Sequence, residues 1–347
     1  MKAAVIEKWG DPLVIRDVAK PVPKNDEILV RVSATGVCHS DVHQWKGEWP
    51  DDKRVMEANG VNIIGHEGVG IIEEVGSSVL RFRPGERVGI PWMNYWCGGC
   101  EPCLTGYPHY CTNLRITSEH VNGTYAEYTT ISERATVIIP DKIPDIDAAP
   151  LLCAGLTAYG AVRKLVTELR IPPGKLIAIV GAAGGLGHYA VQIAKAFGYK
   201  VLGVDVGQKR LEFVQKIGAD YLAEINTAEQ LSKSLGGAYA ALVFTPNING
   251  YSLSTRLIRS LGGLVVVGLP KPTEGPLNFT PIDIVSMGFR IIASSVGVSH
   301  ELLELLDLYL AGKVKTEVSR TGRLSDINTV FHELIESKHV ARTVLTI

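Results

Sequence analysis

Within eight residues, Gly36-Val37-Cys38-His39-Ser40-Asp41-Val42-His43 carries a thiol, a hydroxyl, a carboxylate and two imidazoles. So dense a run of reactive groups is unusual for packing alone. Two further candidates stand far along the chain, in Gly65-His66-Glu67 and Leu152-Cys153-Ala154. Cys38, His66 and Cys153 are read as three protein ligands of one zinc. Two thiolates and one imidazole suit that ion, and three protein ligands with an open fourth position mark a catalytic site. Taken singly, each of the three is explained as well by a buried core residue. The set gains force only when the other cysteines are counted.

The chain has six cysteines, and four of them fall at C-x2-C-x2-C-x7-C spacing, as Cys97, Cys100, Cys103 and Cys111. That spacing favours a metal over disulfides in a chain expected to be cytosolic. Gly98 and Gly99 let the backbone turn tightly, so four thiolates can surround a structural zinc. A ferredoxin-type cluster would place its last cysteine after three residues and follow it with proline; here the gap is seven residues and Thr112 follows. The two cysteines left over are the two wanted as catalytic ligands.

A third stretch points to a nucleotide. Gly181-Ala182-Ala183-Gly184-Gly185-Leu186-Gly187 lies between a candidate strand, 176–180, and a candidate helix, 186–197. Glycines there let the backbone approach a pyrophosphate, which the helix N-terminus favours. The literal G-x-G-x-x-G is absent, with Ala183 and Leu186 at the second and third positions. The next candidate strand ends in Asp205, whose carboxylate can bind the ribose hydroxyls of NAD and repel the extra phosphate of NADP. The competing reading of Asp205 is a cap for the helix 208–217. Lys209 and Arg210 close behind can also meet the cofactor and soften that discrimination.

These candidates need a scaffold, and 347 residues favour two domains. The first third has short strand signals bounded by polar residues and glycine, at 28–32, 69–76 and 88–90, and few helical patterns. It reads as an all-β, barrel-like unit. From about Ala154, strands at 176–180, 201–205, 221–223, 240–244, 264–268 and 290–296 alternate with helices. That alternation predicts an α/β fold with a parallel sheet. A helix over 302–311 then leads to a strand-like tail, 342–347, expected to return to the first domain. The net charge of -1 gives no electrostatic case for nucleic acid or an anionic membrane. The N-terminus lacks a signal peptide's apolar stretch and no apolar run reaches membrane-span length, so a soluble, cytoplasmic protein is expected.

With Gly36 to Asp41, Gly65-His66-Glu67, the four-cysteine lobe, Leu152-Cys153-Ala154-Gly155 and the Gly181–Gly187 turn together, the chain resembles the zinc-dependent alcohol dehydrogenases of the medium-chain dehydrogenase/reductase superfamily, nearly end to end. The resemblance implies a GroES-like β-barrel catalytic domain over 1–155 and 297–347, with the zinc lobe at about 94–112. It implies a Rossmann doubly wound domain over 156–296, a substrate cleft between the two, and NAD and two zinc ions per chain as cofactors. Ser40 would hydrogen-bond the alcohol at the metal, and His43 would carry its proton to solvent. Asp41 would orient His66, and Glu67 would sit beneath the zinc as a transient ligand. His39 and Arg342 match residues that touch the cofactor pyrophosphate, and Thr157 one near the nicotinamide. Val267 is a further expected cofactor contact, and Trp49 and Trp92 match pocket walls that favour small alcohols. Without the resemblance, Ser40 reads as a turn hydroxyl, His43 as a solvated histidine and the tryptophans as core. The segment 51–64 looks longer than in many tetrameric members, and 244–247 and 298–301 also look unusual.

The implied reaction takes an alcohol and NAD+ to an aldehyde or ketone, and the implied assembly is a homodimer or homotetramer. Metal binding lowers the pKa of a bound water from about 15.7 to about 7. A similar effect on an alcohol amounts to roughly 12 kcal/mol, against about 3–5 kcal/mol for a proton relay. Polyol, threonine or aldehyde-reducing dehydrogenases of the same superfamily share these ligands and differ in the pocket. A non-catalytic zinc and dinucleotide binder need not keep Ser40, His43 and Glu67 around an open site.

Overall fold

The computed structural model describes all residues, 1–347, and they divide into two compact units. The first holds Met1–Cys153, Val298–Leu302 and Thr316–Ile347; the second holds Ala154–Gly297 and Leu303–Lys315. Their membership departs from the expected 1–155 and 297–347 at Ala154, Gly155 and Gly297, and at one longer segment. Leu303–Lys315 groups with the second unit, where Gln192 Nε2 donates to Lys315 O at 3.0 Å and Lys315 N–H returns a bond to Gln192 Oε1 at 2.9 Å. No helix is long and apolar enough to cross a membrane.

The first unit is organised on the ten-residue strand Glu27–Gly36, nearly all of it buried. It pairs antiparallel with Gly68–Val75, Tyr128–Ser132 and the tail strand Arg342–Thr346. Irregularities after Leu29 and Val32 bend this pairing, as bulges do where a sheet curls toward closure. Ile28, Val30, Ile72, Val88, Ile90 and Ile131 fill one core. A second core gathers Val42, Trp45, Met56, Ile64, Tyr125 and Phe331.

Two helices interrupt the all-β expectation, His39–Lys46 and Pro50–Asn59. Their apolar period is missing for a physical reason. The first buries Asp41, Val42, His43, Gln44 and Trp45 in succession, so its inner face is largely polar. The second buries only Met56. Its ends were nevertheless marked in the sequence, by Pro50 in the first turn and Gly60 left-handed after the last.

In the second unit, six parallel strands run Leu176–Val180, Lys200–Asp205, Tyr221–Glu224, Ala238–Val243, Ile258–Val266 and Arg290–Ala293. Numbered in chain order, they lie side by side as 3-2-1-4-5-6. This is the doubly wound dinucleotide-binding order, with its switch point beside the first strand. The fifth strand starts earlier and stops earlier than 264–268, leaving Val267 just beyond its end.

Candidate active site

Strand Glu27–Gly36 delivers Cys38 directly to the N-cap of helix His39–Lys46. Cys38 N–H donates to Asp41 Oδ2 at 2.9 Å, and Tyr125 Oη donates to the same oxygen at 2.5 Å. The other oxygen of Asp41 lies 3.0 Å from His66 Nδ1, within ion-pair range although not aligned as a hydrogen bond. A carboxylate against Nδ1 leaves Nε2 as the ligand atom of the ring. His66 and Glu67 sit in the loop before strand Gly68–Val75, and Cys153 sits on a single π turn, Leu151–Gly155.

These segments bring Cys38, His66, Glu67 and Cys153 together. One ligand atom from each falls within 4.8 Å of the rest, and all four residues are buried. Gly36 makes this possible, because a Cβ there would stand 1.9 Å from Glu67 Oε2. Arg342 Nη2 donates to Glu67 Oε2, and also to Val37 O at 3.0 Å. Arg342, matched in the sequence to a pyrophosphate contact, is thus a buried partner of Glu67.

The electrostatics of the group call for a cation. Hydrogen bonding from Cys153 holds the Cys38 thiol well below its ordinary value, while the same contact and burial hold Cys153 well above. Two buried sulfurs side by side cannot both ionise without an added positive charge. Burial alone would lower His66, but Asp41 and Cys38 outweigh it and raise it well above the usual range. Burial pushes Glu67 up to about 7, against the pull of Arg342. Two thiolates and an imidazole are a zinc donor set, so these residues fit that ion.

In the lobe, Cys97, Cys100, Cys103 and Cys111 also converge within 4.8 Å, and all are free thiols. Their sulfurs stand 3.5 Å apart in Cys100–Cys103 and Cys97–Cys111 and 3.7 Å in Cys100–Cys111. A tetrahedron with zinc–sulfur bonds of about 2.3 Å has edges of about 3.8 Å, whereas a disulfide needs about 2.05 Å. The amides of Gly99 and Cys100 point at Cys97 Sγ at 3.5 and 3.4 Å. Backbone donors from Cys103 and Thr112 pull Cys100 down to about 6, and burial pushes Cys103 up to about 12. The lobe therefore fits a second zinc held by four sulfurs.

Ser40 and His39 are half-buried on the first turn of helix His39–Lys46. Burial first, and the neighbouring His43 second, lower His39. His43 is buried, stacked on Trp49 with ring centroids 4.7 Å apart, and its Nδ1 lies 2.6 Å from Glu48 Oε2. Trp92 is half-buried and in contact with Glu119, a buried acid that the sequence reading did not single out. Burial and the negative Asp52 push Glu119 up to about 8, and Gln44 Nε2 donates to it at 3.3 Å.

In the second unit, the glycine turn lies between strand Leu176–Val180 and helix Gly187–Ala196. A Cβ on Gly187 would stand 2.0 Å from Gly181 O, so the turn cannot open to admit one. Gly184, Gly185 and Leu186 remain partly exposed along it. Asp205 ends the second strand and accepts from Ala183 N–H at 2.7 Å and Val206 N–H at 2.8 Å. Gly207, not Asp205, caps the following helix. Arg210 Nη1 lies 3.5 Å from Asp205, and Lys209 is exposed. Thr157 is buried on helix Leu156–Thr167, and Val267 is buried as well. A glycine-lined turn with a carboxylate at the end of the next strand fits a dinucleotide.

Of the residues that the sequence did not flag, Glu48 had the clearest local signal, since it directly follows the helix-ending Gly47. Tyr125 and Glu119 had none, because tertiary contacts alone bring them to the site.

A barrel unit with two cysteine-rich ligand groups and a 3-2-1-4-5-6 parallel sheet define a zinc-binding dehydrogenase of the medium-chain dehydrogenase/reductase superfamily. Residues 24–141 match the family described as alcohol dehydrogenase GroES-like domain, and 185–311 match zinc-binding dehydrogenase. An alcohol dehydrogenase of Geobacillus stearothermophilus is 40% identical, with all of both chains covered. The crystal structure of the alcohol dehydrogenase from Aeropyrum pernix superposes with TM-score 0.89 at 32% identity, also covering both chains fully. Acetophenone reductase from Geotrichum candidum, in complex with NAD, gives TM-score 0.86 at 28% identity over 100% of this chain and 97% of its own. The chain belongs to the zinc-dependent alcohol dehydrogenases.

Proposed function

We propose that the protein oxidises a primary or secondary alcohol reversibly with NAD+, using one catalytic and one structural zinc per chain. The observation that most supports this is the buried convergence of Cys38, His66 and Cys153 beside Glu67. When bound, zinc supplies Lewis-acid polarisation of the alcohol oxygen and NAD supplies the hydride acceptor. Cys38, His66 and Cys153 are the ligands that would hold the metal, with Asp41 orienting His66 and Tyr125 and the Cys38 amide orienting Asp41. Ser40 holds the alcohol hydroxyl, and His43 accepts the departing proton. Arg342 faces Glu67 and opposes the rise that burial gives its carboxyl. The lobe stabilises the fold and takes no part in chemistry.

For the cofactor, the glycine turn and Gly187 leave space for a pyrophosphate, and Asp205 supports NAD over NADP by charge. Arg210 beside Asp205 weakens that preference without reversing it. A homo-oligomer is supported by the exposed apolar side chains of Leu261, Leu269, Ile282 and Val285 on the second unit. The test is NADH formation from a panel of small alcohols, with and without prior chelation. Chelation should abolish the signal, and kcat/KM should be higher with NAD+ than with NADP+. Turnover that survives complete metal removal would overturn the proposal.

A further inference from the structure

Helix His39–Lys46 ends at Gly47 in the left-handed conformation, and the chain reverses at once. Glu48 then returns to the residue it has just passed. Its N–H donates to His43 O at 3.0 Å, and its Oε2 stands 2.6 Å from His43 Nδ1. The next residue, Trp49, lies nearly parallel to the same imidazole, at an interplanar angle of 27°. His39 also approaches the ring, at 5.0 Å between ring centroids and tilted by 60°. Three consecutive residues thus clamp one ring. Gly47 sets the reversal, Glu48 takes the edge and Trp49 takes a face.

The clamp is asymmetric. Nδ1 has the carboxylate, whereas Nε2 is buried with no hydrogen-bond partner in the protein. A buried nitrogen left unpaired costs about 1–3 kcal/mol unless a ligand atom meets it. In a neutral imidazole one nitrogen donates and the other accepts, and the partner at one nitrogen decides which is which. A carboxylate only accepts, so it selects the form with hydrogen on Nδ1 and a lone pair on Nε2. A histidine serving as a base must present that lone pair, and a carboxylate behind it fixes the tautomer and the orientation. Glu48 is suited to this because its side chain is only 18% exposed, which limits competition from water.

We propose that Glu48 is the positioning residue of the proton-transfer path, holding His43 as its Nδ1–H tautomer with Nε2 as the acceptor. The inference rests on the proposed alcohol oxidation for its consequence but not for its geometry. In the step, the O–H bond of the donor breaks, the proton forms a bond to Nε2, and the electron pair stays on oxygen. The ring, now carrying hydrogen on both nitrogens, passes a proton to solvent and regains its starting form. No oxidant or further reactant is needed for this transfer. His39, on the same helix, stands 5.0 Å from the ring between centroids, whereas Glu48 is at hydrogen-bond distance from Nδ1.

The test uses the full-length, metal-loaded protein without cofactor. Nitrogen NMR of the His43 ring should show one tautomer, with hydrogen on Nδ1. In Glu48→Ala the ring should exchange between both tautomers, and in Glu48→Asp the original form should return. In alcohol oxidation, Glu48→Ala should lower kcat about tenfold with KM little changed, and added imidazole buffer should restore much of it. Melting temperatures of both variants report folding separately. A His43 ring that keeps hydrogen on Nδ1 in Glu48→Ala overturns the proposal whatever the activity. A fixed wild-type tautomer that is lost in Glu48→Ala supports it, even if the wild type fails to oxidise any alcohol. That failure would count against the enzymatic reading alone.

Discussion

The lobe draws Cys97, Cys100, Cys103 and Cys111 from one short run of chain, leaves most of them half-exposed and supports them with backbone amides. The other group draws Cys38, His66, Glu67 and Cys153 from three distant segments, buries all four and surrounds them with Asp41, Tyr125 and Arg342. Both fit zinc, but they spend the ion differently. Under the proposed function, four sulfurs in a local loop would complete the metal's coordination and fasten a segment that has little core of its own. Three ligands brought together by long-range folding would, under the proposed function, leave a position open, with buried ionisable neighbours setting the charge around it. On the proposed reading, local spacing goes with the structural role and distance along the chain with the catalytic one.

The largest expected effect breaks the buried group. Cys38→Ala or His66→Ala should abolish alcohol oxidation, since up to roughly 12 kcal/mol of activation depends on those ligands. Steady-state assays on protein with a matched metal content at the lobe check this. Near-wild-type turnover in His66→Ala would erase the distinction between the groups. Next, Cys103→Ala should cost more than about 4 kcal/mol of stability. At about 2–4 °C per kcal/mol, that lowers the melting temperature by on the order of 10 °C. Activity per folded molecule should persist.

Smaller effects sharpen the same contrast. His43→Ala should reduce turnover about 100-fold, most visibly at low pH, where external base is scarce. A pH-dependent kcat comparison with wild type reads this. Glu119→Gln probes the buried acid beside Trp92. Glu119 stands at about 8 in the folded protein and near 4.5 unfolded, so between those values the folded state binds the extra proton. Its contribution is intact below about 4.5 and is lost as pH rises through 8. The variant should match wild type near pH 5 and exceed it by up to about 4 kcal/mol near pH 9, as denaturant titrations at the two values will show. An equal gain at both would remove Glu119 from the account.

Legibility in the sequence followed the same division. The lobe was readable because its ligands and glycines are neighbours in the chain. Strands Leu176–Val180, Lys200–Asp205 and Ala238–Val243 were readable because continuous apolar runs report burial directly, and the order 3-2-1-4-5-6 matches the expected doubly wound sheet. Helix His39–Lys46 escaped notice because its buried Val42 and Trp45 are interleaved with buried Asp41, His43 and Gln44, which blurs the apolar period. The resemblance implies a pyrophosphate contact for Arg342, and its pairing with Glu67 is a second contact that the linear sequence does not show. Tyr125 on Asp41 and Glu119 by Trp92 depend on contacts between segments far apart in the chain, and a linear reading has no term for those.

The central claim is that Cys38, His66 and Cys153 hold a divalent ion of their own, separate from the lobe's. Zinc counted per chain in the wild type, in Cys38→Ala and in Cys103→Ala tests it most directly. The account predicts about two ions in the wild type, with each variant losing a different one: Cys38→Ala keeps the ion needed for stability, and Cys103→Ala keeps the ion needed for turnover. A single ion in fully loaded wild type, unaffected by Cys38→Ala, would contradict it.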